Sequence, residues 1–103
     1  MAVKKSISIA IAGLALVAAS ASAYAYTGQR YAKEAKVTLT QAKKLALKAF
    51  PGKIISVELE KEKGGSGLRF SFDIRNGKTV HEVGIDAETG KVLENSDDSG
   101  DSD

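Results

Sequence analysis

The sequence contains no cysteine and a single histidine, and each scarcity excludes a class of function. Without cysteine no disulfide can hold the fold together, and the lipoprotein route, which acylates a cysteine after the signal, is closed. One histidine, His81, cannot supply the several convergent ligands that a metal site needs. No hydroxyl side chain has an evident base, oxyanion donors and orienting carboxylate. The sequence therefore predicts no catalytic residues, no cofactor-binding residues and no metal ligands, and we do not expect an enzyme.

The beginning of the chain has the three parts of a secretory signal peptide. Lys4 and Lys5 form a basic start, an apolar run occupies residues 7–19, and Ala21-Ser22-Ala23 offers a small-residue cleavage site. We therefore predict a signal peptide at residues 1–23 and a periplasmic or secreted product. Contact with a membrane is then transient, through the signal segment alone.

The same segment could instead remain in place as a membrane anchor. No charge occurs between Lys5 and Arg30, and an uncharged stretch of that length can span a bilayer. Several serines and Gly13 interrupt the apolar run, however, and its alanine-rich end is typical of a cleavage site. Cleavage is the favoured interpretation.

Charge is balanced once the signal is removed. Lys4 and Lys5 account for the formal net charge of +2, so the chain from residue 24 onward is neutral. An exported domain with so little net charge is not expected to bind nucleic acid. Residues 95–103 carry four aspartates and no apolar side chain, which predicts an acidic disordered tail. The alternative, a calcium site in this tail, lacks the closing glutamate of an EF-hand loop.

One domain is predicted at residues 37–94, after a linker at residues 24–36. Its helix begins with a capping box, because Thr38 at the N-cap is followed three residues later by Gln41. The helix then has one apolar stripe at the spacing i, i+3, i+4 and i+7, formed by Ala42, Leu45, Ala46 and Ala49. Pro51-Gly52 ends it.

Alternating apolar and polar residues follow the helix and predict strands. The pattern occupies residues 54–62, where Ile55, Val57 and Leu59 share one side, and then residues 68–75 and 78–86, with a short return at 91–93. One face of such a sheet meets the helix and the other meets water. The predicted fold class is α+β, with one amphipathic helix packed on one face of a three- to four-stranded antiparallel sheet.

Asn76-Gly77 predicts a tight hairpin between two of these strands. With these two residues at the centre of the turn, Phe72 pairs with His81. His81 then lies at the rim of the apolar face, in a structural role rather than as a ligand, base or pH sensor. The opposite, wet face carries the exposed charged side chains Arg69, Arg75 and Glu82.

Two segments together resemble the PepSY family. They are V-T-L-T-Q-A-K-K-L-A-L-K-A-F-P-G, at residues 37–52, and D-A-E-T-G-K-V-L, at residues 86–93. The family position that matches His81 is often tyrosine, and the position that matches Gly84 is usually larger and polar. The small glycine is therefore expected to leave a gap on the outer face. The resemblance implies relation to the propeptide domain of thermolysin-like metallopeptidases and to small exported stand-alone PepSY chains.

The resemblance implies a binding module rather than an enzyme. The chain has no H-E-x-x-H motif of its own, so any inhibition would act on a separate peptidase. We expect an exported, non-enzymatic module that binds and restrains a protein partner, either an exported peptidase or another envelope protein. Arg69, Arg75 and Glu82 are the predicted partner contacts. The alternative is a small-ligand or metal-ion binding or sensing protein of the cell envelope.

Overall fold

A computed structural model describes residues 25–99 as one helix on a four-stranded antiparallel sheet. The strands follow one another in the sheet in chain order, so every connection is a hairpin or a short loop. The elements are a 3₁₀ helix at Gln29–Glu34, α1 at Leu39–Ala49, β1 at Lys53–Lys61, β2 at Leu68–Asn76, β3 at Thr79–Asp86 and β4 at Val92–Asp97. This architecture confirms the predicted α+β class, with the sheet at the upper end of the predicted strand number.

The helix α1 begins with the predicted capping box. The backbone N–H of Gln41 donates to Thr38 Oγ1 at 3.1 Å, and the Thr38 N–H donates to Gln41 Oε1 at 2.9 Å. Ala42 and Ala46 are fully buried against the sheet, since their small side chains let the helix backbone approach it closely. The inner face of the sheet supplies the larger core side chains, which are Leu59, Leu68, Phe70, Phe72, Ile74, Val83 and Ile85.

The β2–β3 hairpin has a different register from the predicted one. Asn76 pairs with Thr79, so Gly77 and Lys78, not Asn76 and Gly77, form the centre of the turn. Phe72 consequently pairs with Val83 rather than with His81. The shift in pairing is even, and side chains alternate with a period of two, so every side chain keeps its predicted face.

A β-bulge in β1 changes the predicted alternation. The register shifts between Ile54 and Ser56, which leaves Ile55 as the extra residue. Ile54 therefore joins Val57 and Leu59 against the core, while Ile55 is 43% exposed. The prediction that Ile55 shares the inner side with Val57 is wrong because a strict period of two cannot register an inserted residue.

The folded region is longer than the predicted domain at both ends. Upstream, the Leu59 N–H donates to the Thr27 carbonyl at 2.8 Å, so part of the predicted linker lies along the outer edge of β1. Downstream, β4 reaches Asp97, and the Val80 N–H donates to Ser99 Oγ at 2.9 Å. The first residues of the predicted disordered tail are therefore a sheet strand. The predicted signal peptide lies outside the described residues, and within residues 25–99 no helix has the length and apolarity to cross a membrane.

Candidate functional site: the outer face of the sheet

The face of the sheet that points away from α1 is lined by carboxylates. We call this surface the acidic face, and its members come from all four strands and the residue that follows β4: Glu58, Glu60, Asp73, Glu82, Glu94 and Asp98. The strand pairing brings them together, because Asp73 lies directly opposite Glu82 on β3. Successive side chains of a strand point to opposite faces of the sheet, so acidic residues that are separate in the sequence lie together on one face.

Three of these carboxylates surround a small polar pocket. Oxygen atoms of Asp73, Glu82 and Asp98 lie within 4.8 Å of one another, and Ser56 Oγ donates to Asp73 Oδ2 at 2.9 Å. The pocket has a volume of about 110 Å³ and is bordered by these residues together with Glu58 and Ser71. Carboxylate oxygens are the ligands that hard cations prefer. Among residues 25–99, these three carboxylates form the group whose spacing would suit a cation.

Ser71 bridges two further carboxylates at the centre of the acidic face. Its Oγ lies 3.2 Å from Glu60 Oε2 and 3.3 Å from Glu82 Oε2. A hydroxyl has one proton to donate, so both contacts are favourable hydrogen bonds only when one carboxyl is itself protonated. Burial, a hydrogen bond with Glu62 and repulsion between the acids raise the pKa of Glu60 to about 7. Burial and then repulsion from Glu94 likewise raise the pKa of Glu82.

Arg69 lies on this face but is not exposed, which corrects the prediction that it is an exposed contact. Its side chain is 8% exposed, its Nη1 pairs with Glu94 Oε1 at 3.5 Å, and its Nη2 donates to the Lys63 carbonyl at 3.0 Å. Gly84 makes room for it, because a Cβ at this position would lie 3.2 Å from Arg69 Nη1 and 3.3 Å from Glu94 Cβ. The gap expected at Gly84 is thus occupied by the guanidinium. Its Nε has no hydrogen-bond partner among the described residues.

The other two predicted contacts remain accessible but do not form a cluster with Arg69. Arg75 is exposed at the turn end of β2, whereas Arg69 lies near the opposite end, six residues or about 20 Å away. Glu82 is half-buried between them, opposite Asp73. Whether any of the three contacts a partner stays a prediction.

His81 lies at the rim of the core, in the place that the sequence predicts. Its ring stacks on Phe50, with centroids 3.8 Å apart and an interplanar angle of 5°. Its Nδ1 is 2.7 Å from Asn95 Oδ1, and Asn95 Nδ2 donates in turn to the Ala49 carbonyl at 3.3 Å. The imidazole therefore joins β3, β4 and the end of α1.

Asp86 is a buried carboxylate at the start of D-A-E-T-G, a run of residues that predicts only a turn between the last two strands. Its Oδ2 accepts from the Ser66 N–H at 2.7 Å, and its Oδ1 accepts from Ser66 Oγ at 2.8 Å and from the N–H groups of Glu88 and Thr89 at 2.8 and 3.2 Å. Burial alone would raise the pKa of this carboxyl, but these hydrogen bonds outweigh burial and lower it to about 2. We call this arrangement the Asp86 clasp, because it ties the glycine-rich β1–β2 loop to the β3–β4 turn.

A scan against protein families matches residues 36–95 to PepSY, described as "Peptidase propeptide and YPEB domain". The matched range contains α1, β1, β2, β3 and the first four residues of β4, which together carry the whole acidic face except Asp98. Searches among curated proteins and among solved structures found no match.

Proposed function

Because the chain belongs to the PepSY family, we propose that it is an exported, non-enzymatic module that binds a protein partner such as a peptidase and restrains it. The family match, which spans more than half of the chain, carries this proposal and confirms the resemblance seen in the two sequence segments. PepSY domains are generally non-catalytic propeptide or inhibitor modules. Export, a periplasmic or secreted location and restraint of a partner are the parts that need testing.

The shape of the domain supports binding through the sheet. One face of the sheet is covered by α1, whereas the acidic face has no covering element among residues 25–99. Exposed charged groups at an interface favour partner selection and fast association. Arg75 and Glu82 are the predicted contacts that remain accessible there, and Arg69 is held in its pair with Glu94.

The direct test is inhibition of purified exported metallopeptidases, thermolysin-like enzymes included, by the chain from Tyr24 to Asp103. Saturable inhibition near one to one is the expected result. Arg75→Glu is expected to weaken it, while Lys63→Glu, the same charge change in the β1–β2 loop, is the matched control. A folded domain that leaves every enzyme of the panel at full activity would remove peptidase restraint from the proposal.

A second candidate is a metal-ion binding or sensing protein of the cell envelope. The observation that favours it is the convergence of Asp73, Glu82 and Asp98 on one pocket. Calorimetric titration with calcium, zinc and copper is the test, with Asp98→Asn as the site variant and Asp103→Asn as the tail control. Titrations without heat above the buffer background would eliminate this candidate.

A further inference from the structure

The two sides of the domain carry opposite charge, although residues 24–103 are neutral as a whole. The helix α1 contains three lysines and no acidic residue. Lys44 and Lys48 are exposed and four positions apart, so they lie on one face of the helix about 6 Å from each other. We call this surface the lysine face. The acidic face lies on the far side of the sheet, so the two surfaces of one molecule cannot meet.

Within residues 25–99, each surface carries an excess of like charges. Lysines at i and i+4 repel one another on an isolated helix. On the acidic face, Glu82 is repelled by Glu94, Asp73 and Asp98, and Arg69, the buried arginine of this face, is already paired with Glu94. An oppositely charged surface laid on either face would relieve this repulsion, and both halves of such a contact exist in the same molecule.

We propose that a second copy of this chain docks its lysine face on the acidic face of the first. The dimensions match, because α1 has 11 residues and is therefore about 16 Å long, while four strands make a face about 14 Å wide. The contact uses different surfaces on the two copies, so each added copy leaves one lysine face and one acidic face free. Such a head-to-tail contact produces closed rings or open chains, depending on the rotation between neighbouring copies.

The test is sedimentation velocity of the protein expressed from its full sequence, after intact-mass measurement of the form obtained. At low ionic strength the weight-average mass is expected to rise with protein concentration. The Debye length is about 10 Å at 0.1 M salt and about 3 Å at 1 M. Raising the salt from about 0.02 M to about 0.5 M is therefore expected to weaken association at least about tenfold. A monomer at every concentration in low salt would overturn the proposal.

Two charge-reversed variants separate this contact from other modes of association. Lys44→Glu/Lys48→Glu removes the lysine face, and Glu58→Lys/Asp98→Lys alters two exposed residues of the acidic face. Each variant alone is expected to be monomeric. Their mixture is expected to associate again, because the intact acidic face of the first binds the intact lysine face of the second and the two reversed faces are complementary as well.

Matched controls carry the same net charge changes at other places. Lys63→Glu/Lys78→Glu leaves α1 unchanged, and Glu34→Lys/Glu88→Lys leaves the acidic face unchanged, so both are expected to associate like the original protein. Circular dichroism establishes that each variant is folded before it is scored. Association that persists in a folded face variant, or a mixture of the two face variants that stays monomeric, would overturn the proposal.

Discussion

Replacement of Asp86 by asparagine tests whether the clasp holds the ends of the two loops together. The carboxylate is 1% exposed and receives four hydrogen bonds on its two oxygens. Asparagine keeps one oxygen acceptor and places an NH₂ group where the second oxygen was. If the oxygen stays on the side of Glu88 and Thr89, the new NH₂ group faces the Ser66 N–H, so two donors oppose each other without an acceptor.

Two independent arguments give the loss of unfolding free energy expected for Asp86→Asn. The pKa of Asp86 falls from its ordinary value of 3.8 to about 2, and at about 1.4 kcal/mol per pKa unit the ionised form is favoured by about 2 kcal/mol in the folded protein. Separately, leaving one buried donor unsatisfied costs about 1–3 kcal/mol. We expect Asp86→Asn to lower the free energy of unfolding by about 2–3 kcal/mol at pH 7. That is a large fraction of the stability of a domain of this size.

The pH dependence has a definite sign. A carboxyl whose pKa is lower in the folded than in the unfolded state stabilises the fold at pH values above its unfolded pKa. For Asp86 this stabilisation is complete above about pH 4 and is lost as the pH falls through about 2. The asparagine variant has no such group, so its stability should change less over that window, and the difference between the two proteins should shrink as the pH falls.

Urea unfolding, followed by circular dichroism between about pH 2 and about pH 7, measures both the loss of unfolding free energy at pH 7 and its dependence on pH. Asp98→Asn is the control, because Asp98 is exposed and outside the clasp. A stability loss below about 0.5 kcal/mol at pH 7, the range of ordinary surface substitutions, would refute the clasp. So would a difference between Asp86→Asn and the original protein that stays constant across the whole pH range.

Three further predictions concern the acidic face and the loop beside it. Gly65→Ala should cost more than Gly77→Ala in urea unfolding, because both glycines have left-handed φ, +55° and +66°, but only a Cβ at Gly65 collides with the clasped carboxylate; equal losses would contradict this. Because the pKa of Glu60 is raised in the folded protein, this carboxyl stabilises the fold fully below about pH 4.5, and the stabilisation is lost as the pH rises through about 7. Glu60→Gln should remove this pH-dependent loss, which unfolding at about pH 5 and about pH 8 measures. An unchanged pH dependence would count against the prediction. Gly84→Ser should lower the free energy of unfolding by about 1–3 kcal/mol in thermal unfolding, because the serine side chain would crowd Arg69. If crowding is the cause, the same substitution should cost nothing in an Arg69→Ala background, and a cost that persists there would contradict this explanation.

The fold was predictable where local signals act within a few residues. Thr38 and Gln41 cap the helix because the capping box depends only on residues three apart, and the strands alternate as their sequence does. The exact pairing was not predictable, since Gly77 suits a tight turn whether it is the first or the second central residue. The bulge at Ile55 gave no sequence signal either, because no glycine or proline marks it.

The candidate site was less predictable, since it depends on which side chains meet across strands. Arg69 reads as a solvent-facing residue of an alternating strand, and only the neighbouring Gly84 and Glu94 show that it is buried. One signal was present: a glycine in mid-strand indicates that something approaches closely. The role of Asp86 was not predictable for a different reason. Its neighbours predict a turn, but the Ser66 N–H that donates to its carboxylate lies twenty residues earlier in the chain.

The acidic face is best explained by a role other than stability. A small domain buries only about 60% of its surface, so it has little free energy to lose, and repulsion among surface charges reduces it further. The chain carries as many basic as acidic residues after residue 23, yet α1 has three lysines and no acidic residue, while six carboxylates share the outer face of the sheet with two arginines, Arg69 and Arg75. Interspersed charges would stabilise the same fold better. Departures from local consistency of this kind are expected at functional surfaces, so the uneven distribution of charge supports the proposals that these surfaces bind another molecule.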